Sequence, residues 1–242
     1  MFLDDLNHLM EKYEREITQA RRLMEEMSQE TGMDLSDYSM VRRRLAVLVF
    51  DAERESSRLR GVLYRDYENL AIEPVIYVEI SDCQKTCIKV CSMWANFWQV
   101  SPDDLIDEAI RNAPNVMPPR FGSISSYIGN VIGVMIRDAD DPDGCELGPD
   151  MYFLSNENNA YGASAVFYPH LMEAISVKLD ADLFVLPSSV HETIIMPDSG
   201  EDPHFLLDIV TQINEEFIRG EDVLCSGVFY YRRSEGRLRK LC

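Results

Sequence analysis

Between Met151 and Phe217 the order strand, strand, helix occurs twice, and this doubling confines the region to paired strands with helices packed on them. In the first copy, Met151 to Ser155 carries apolar groups on both alternations, which suits a strand covered on both faces. Asn156 to Gly162 (NENNAYG) is rich in residues that tolerate positive φ and bond their own backbone. Ala163 to Tyr168 then reads as a returning strand. Pro169 opens a helix whose apolar face is Leu171, Ile175 and Leu179, with Met172 beside them. In the second copy, Leu183 to Leu186 is closed by Pro187 and Thr193 to Met196 by Pro197. Asp202 and Pro203 form a cap and first turn for a helix with Leu206, Ile209, Val210, Ile213 and Phe217 on its apolar face. A last strand lies near Val228 to Tyr231, so residues 151–242 read ββαββαβ.

Upstream the period changes. Leu3, Leu6, Met10, Tyr13, Ile17, Ala20, Met24 and Met27 alternate spacings of three and four, an a/d seam of about three heptads. Gly32 ends that helix. Val41, Leu45, Leu48, Ala52 and Leu59 repeat similar spacing, so a second helix is expected and residues 1–65 read as a helical pair. Tyr13 and Ala20 make poor knobs for a tight two-stranded coil, which favours packing within one chain, a monomer, over a homodimer through the N-terminal helix. Residues 66–137 mix types. Tyr67 to Ile80 and Thr86 to Val90 read as a hairpin, and Met93 to Trp98 as a helix. Ser101-Pro102-Asp103-Asp104 is a helix start, with a cap, a proline and acids at the positive end of the dipole. That helix should stop before Pro114, Met117-Pro118-Pro119 is a break, and Ser123 to Ile132 reads as helix. Residues 138–150 form an acidic linker. The fold class is therefore α+β: an N-terminal helical pair, a mixed middle, and an antiparallel C-terminal sheet with helices on one face.

The formal charge of −19 is unevenly placed. Residues 1–65 hold 13 acids and 11 bases, residues 66–222 hold 28 and 7, and residues 223–242 hold 1 and 5, giving −2, −21 and +4. Direct nucleic-acid binding needs a basic surface and is disfavoured. No basic n-region precedes an apolar core at the N-terminus. The longest apolar runs, Leu45 to Phe50 and Val131 to Ile136, are too short to span a bilayer. No membrane association is expected, and a cytoplasmic location with reduced thiols is.

Few constellations carry chemistry. Cys83, Cys87 and Cys91 lack the paired spacing and histidine of a zinc site and read as buried thiols. Asp138, Asp140, Asp141 and Asp143 fail the calcium-loop pattern, because its glycine and final glutamate positions hold Asp143 and Pro149. No metal site and no cofactor are expected. Ser188, Ser189, His191 and Glu192 put nucleophile, base and carboxylate within five residues, the candidate catalytic group. No nucleophile elbow accompanies them. A turn explains the same residues, with serine hydroxyls capping free backbone groups.

Met151-Tyr152, Leu154-Ser155-Asn156, Gly162-Ala163, Tyr168-Pro169 and Leu186-Pro187-Ser188-Ser189-Val190-His191-Glu192 resemble the C-terminal signature of DUF5688, a bacterial family of unknown function. The likeness continues through Asn214 and Val223-Leu224 to Tyr231, and back through Asn69-Leu70-Ala71 to about Leu45. The resemblance implies a bacterial, cytosolic protein and no activity. It marks Asn156, Gly162 and Asn214 as candidate binding positions. The family usually has Leu-Ser-Asp where this chain has Leu224-Cys225-Ser226, and its members often carry a further N-terminal segment.

The leading functional reading is a non-enzymatic interaction protein with an acidic body and an unidentified protein partner. One alternative is an enzyme or small-molecule binder using a cleft around Asn156, Ser188, Ser189 and His191. Another is an acidic mimic of nucleic acid directed at a DNA-binding partner, for which the scattered acids are a poor template.

Overall fold

The computed structural model describes residues 2–81, 84–124, 151–187, 189–216 and 218–242. The chain divides into two compact units, one of Met1–Leu48 with Ala52–Val116, the other of Val49–Asp51 with Met117–Cys242. The class is α+β, with an N-terminal helix and antiparallel sheets.

In the first unit, helix α1 (Phe2–Thr31) carries the predicted seam, and Ala20 and Met24 on it are fully buried. Gly32, at φ 69°, closes it by donating its N–H to the Ser28 carbonyl at 2.9 Å. The Asp37 carboxylate caps the short helix α2 (Tyr38–Val41) by accepting the Ser39 N–H at 2.9 Å.

The second long helix expected over Val41 to Leu59 does not form. A 3-10 turn at Arg42–Arg44 leads into strand β1 (Leu45–Asp51). All six residues from Leu45 to Phe50 are buried. A helix would hide only a stripe of such a run, whereas a central strand hides both faces, so burial overrides the spacing.

Strands β2 (Arg65–Tyr67) and β4 (Gln84–Lys89) both pair with the twelve-residue β3 (Leu70–Ser81), which also pairs with β1. The β3–β4 hairpin is the expected one. Helix α3 (Ser92–Trp98) precedes α4 (Pro102–Val116). The Ser101 hydroxyl accepts the Asp104 N–H at 3.1 Å, so the predicted cap holds. Pro114 lies in the last turn of α4 rather than beyond its end.

The second unit is one antiparallel sheet in the order β10-β9-β7-β8-β6-β5. Its strands are β5 (Pro119–Ser123), β6 (Tyr152–Asn156), β7 (Leu183–Leu186), β8 (Thr193–Pro197), β9 (Phe229–Arg232) and β10 (Arg237–Lys240). Helices α5 (Leu171–Leu179) and α6 (Pro203–Glu216) follow β6 and β8 as expected. The strand expected from Ala163 to Tyr168 is instead a 3-10 helix over Gly162–Phe167. Both edges of β6 are taken by β5 and β8, which leaves no ladder for a returning strand. The small residues Gly162 to Ala165 are buried in the helical turn.

Leu206 and Val210 of α6 cluster with Phe184, Leu186 and Met196 on one face of the sheet. Lys178 of α5 stands 5.4 Å over the Phe121 ring, which stacks on Tyr152. Tyr152 pairs with Ile195, one residue out of step with Met196, so α5 lies on the opposite face. The sheet is covered on both sides, where the pattern alone placed both helices on one. The linker at 138–150, the helix expected beyond Ile124, Cys83, Ser188 and Phe217 lie outside the described residues. Among the described residues no helix is long and apolar enough to cross a membrane.

Candidate functional site

The segment after β7 is held on both sides. Ser189 bridges Val223, and the Val190 N–H donates to the Asp222 carbonyl at 2.8 Å. On the other side the Gly162 N–H donates to the His191 carbonyl at 3.0 Å and the Ala163 N–H to the Val190 carbonyl at 3.3 Å. The Ser155 hydroxyl adds a third tie, donating to the His191 carbonyl at 2.8 Å. Such bonding fixes the backbone of a segment that has no long strand of its own.

The His191 ring is set by that frame. Its Nδ1 accepts the Tyr161 N–H at 3.2 Å. An accepting Nδ1 carries no proton, so in the neutral ring the proton sits on Nε2, which faces the Asp222 carboxylate at 3.1 Å. The Tyr161 ring lies 5.6 Å from the imidazole and meets Phe50 edge-on at 6.1 Å. The Ser189 hydroxyl accepts the His191 N–H at 3.0 Å. Both ring nitrogens are therefore engaged, and neither the Ser155 nor the Ser189 hydroxyl bonds to the imidazole. A serine–histidine relay needs that bond.

Gly162 is required by close approach. A Cβ there would stand 2.3 Å from the Ser155 hydroxyl oxygen and 2.7 Å from the His191 carbonyl. Asn156, fully buried, donates from Nδ2 to the Ala160 carbonyl at 2.7 Å and accepts the Asn158 N–H at 3.0 Å, which closes the loop that delivers Tyr161.

A cleft of about 320 Å³ opens on this frame. It is lined by Ser155, Asn159, Ser189, His191, Glu192, Ile218, Arg219 and Asp222. Of the sequence candidates, Ser189, His191 and Glu192 meet there. Asn156 and Gly162 shape its floor from behind, and Ser188 lies outside the described residues. Asn214 sits on α6, where its Nδ2 donates to the Cys225 carbonyl and the Ser226 hydroxyl, both at 3.1 Å. Asp222, Arg219, Tyr161 and Ser155 were not singled out by sequence. Asp222 follows His191 by 31 residues, and only the Ser189–Val223 bridge makes it a neighbour. Ser155 belongs to the quoted LSN run, which was the one available signal.

Among the described residues no group of three His, Cys, Asp or Glu side chains could hold a metal. The chain is matched by the family of unknown function DUF5688 over residues 4–233. It belongs to that family. The match takes in both compact units, so the cleft and the β3 sheet are parts of one family architecture. No curated protein and no solved structure matches the chain.

Proposed function

We propose that this chain is a non-enzymatic binding protein of the bacterial cytoplasm, which holds a polar segment of a protein partner in the His191 cleft. The observation that carries the reading is the engagement of His191. Its two nitrogens, its N–H and its carbonyl all bond within the frame, so the residue builds the cleft instead of activating a nucleophile. What faces the solvent is a mixed polar surface, with Glu192 and the exposed Arg219 offering opposite charges to a ligand. Such a surface suits hydrogen-bonded recognition of a polar segment. The cysteines described as free thiols, Cys87, Cys91, Cys225 and Cys242, support a reducing compartment. The excess of acids disfavours nucleic acid as the direct ligand.

The test is affinity capture from the native host, with wild type and Arg219→Glu as baits. A protein held by the wild type and lost with Arg219→Glu supports the reading. Equal capture by both baits overturns it. So does turnover of ester or peptide substrates that disappears in Ser189→Ala.

A further inference from the structure

Much of what lines the His191 cleft is already spent inside its frame. The Ser155 hydroxyl donates to the His191 carbonyl, and both ring nitrogens of His191 are bonded. Among the described residues, three donors and two acceptors are left over. Ser189 is only 4% exposed, and its hydroxyl accepts the His191 N–H while its own proton meets no acceptor. The Asn159 side chain accepts from Arg120 at 3.1 Å. A guanidinium only donates, so that end of the amide is the oxygen and the Nδ2 end is the one without a partner. Arg219 is exposed and forms no ion pair with a described residue. On the accepting side Glu192 has no partner, and Asp222 turns Oδ1 to His191 and leaves Oδ2 over. With the imidazole neutral, the cleft sets one cation against two carboxylates.

We propose, resting on the binding role assigned to this cleft above, that the partner segment brings an acidic and a basic side chain into it side by side. The carboxylate goes to Arg219, the Ser189 hydroxyl and the Asn159 amide. The base goes to Glu192 and the Asp222 Oδ2. Neither charge alone fits. A lone carboxylate would enter beside two others, and like charges at close range repel. A lone base would leave the buried Ser189 proton and the Arg219 guanidinium unanswered, and an unmet buried donor costs binding. An acid and a base together match every leftover group. Ile218 supplies the apolar wall that the methylene stem of a lysine or arginine needs. At about 320 Å³ the cleft is at the small end of ligand pockets, so it admits side chains and not a helix or a hairpin. On an extended segment the two side chains share one face when they are two residues apart.

Capped tripeptides titrated into the full chain test this, read by NMR on the His191 ring and the Asn159 side-chain amide. The probes are acetyl-Asp-Ala-Lys-amide and acetyl-Lys-Ala-Asp-amide, each with versions in which Asn replaces Asp or Gln replaces Lys. One order of the doubly charged peptide should bind saturably, and either single replacement should weaken it by ~10-fold or more. The variants should split the two preferences. Glu192→Gln should abolish the preference for Lys over Gln and keep that for Asp over Asn, and Arg219→Gln should do the reverse. Glu215→Gln, an equal loss of charge outside the cleft, should change neither. Circular dichroism confirms that each variant is folded. If neither order binds, the proposal is overturned, even where capture from the host still depends on Arg219 and the partner reading stands. Equal binding of the uncharged peptide overturns it too, as does a loss in both variants that leaves the preferences unsplit. The expected split with equal capture by the wild-type and Arg219→Glu baits supports the acid-and-base ligand and removes only the protein partner.

Discussion

Each unit sets one base against one acid beside its sheet, and the two pairs differ in their access to water. In the first unit Glu73, on β3, is completely buried and its Oε2 accepts from Arg58 at 3.0 Å. Its Oε1 has no hydrogen-bond partner among the described residues. In the second, His191 and Asp222 are 36% and 28% exposed at 3.1 Å and line an open cleft. A buried carboxylate has lost its hydration and depends on a cation that reaches it. A half-exposed pair keeps water as an alternative partner, so its attraction is screened and its atoms remain available to a ligand. The same chemistry thus serves cohesion in one unit and, on the function proposed above, recognition in the other. Burial decides which.

The largest expected effect breaks the buried pair. Arg58→Ala leaves Glu73 as an uncompensated charge and should cost about 3–5 kcal/mol. Urea denaturation followed by Trp94 and Trp98 fluorescence reads this directly, because both tryptophans belong to the first unit. A loss below about 1 kcal/mol would show that water or another cation reaches Glu73, and the contrast between the units would fail.

The matching change in the cleft should be small for stability. Asp222→Asn keeps the size of the side chain and an oxygen that can accept from His191 Nε2. It should cost less than about 1 kcal/mol in urea denaturation read by circular dichroism. Its effect belongs in partner capture, which should fall while the fold persists. If Asp222→Asn unfolded the second unit, the pair would be structural, and the cleft would lose its claim to be a site.

The sequence made the second unit largely legible, because its prolines stop strands and its helices have clear apolar stripes. Pro187, Pro197 and Pro203 all fall at element ends in the structure. Local pattern failed in two places where tertiary context chose the outcome. Leu45 to Phe50 carried helical spacing by coincidence within an all-apolar run, and full burial made it strand. Ala163 to Tyr168 had strand-like composition, but β6 had no free edge to offer it. The site was half legible. Ser189, His191 and Glu192 stood out by chemistry, as did Asn156 and Gly162 through the family resemblance. Asp222 and Arg219 did not, because an acid and a base among scattered charges acquire meaning only through a chain crossing such as the Ser189–Val223 bridge. Glu73 was equally silent, since an alternating strand gives no sign that its polar member points into a core.

The smallest effect is one of pH, and it sharpens the comparison because only the buried pair lies close to a thiol whose titration it disturbs. Burial first, and then the Glu73 carboxylate, push the Cys87 thiol up to about 11, with Arg58 partly offsetting the rise. In the unfolded chain the same thiol ionises near 9.0. Its folded value is the higher, so the stability tied to the neutral thiol is complete below pH 9.0. It is lost as pH rises from there through about 11. Tyr38 is also held above its ordinary value of 10.0, by burial first and then by its bond to Glu108, so its contribution starts to fall only beyond that pH. Between pH 9 and pH 10 the first unit's loss should therefore be carried mainly by Cys87. Urea midpoints read by tryptophan fluorescence should decline across that interval in the wild type and decline less in Cys87→Ala. Glu73→Gln should shift the onset of thiolate absorbance at Cys87 to lower pH, since one of the groups raising it is gone. Asp222→Asn should not move that onset. An onset unmoved by Glu73→Gln would leave burial alone as the cause and detach the thiol from the pair.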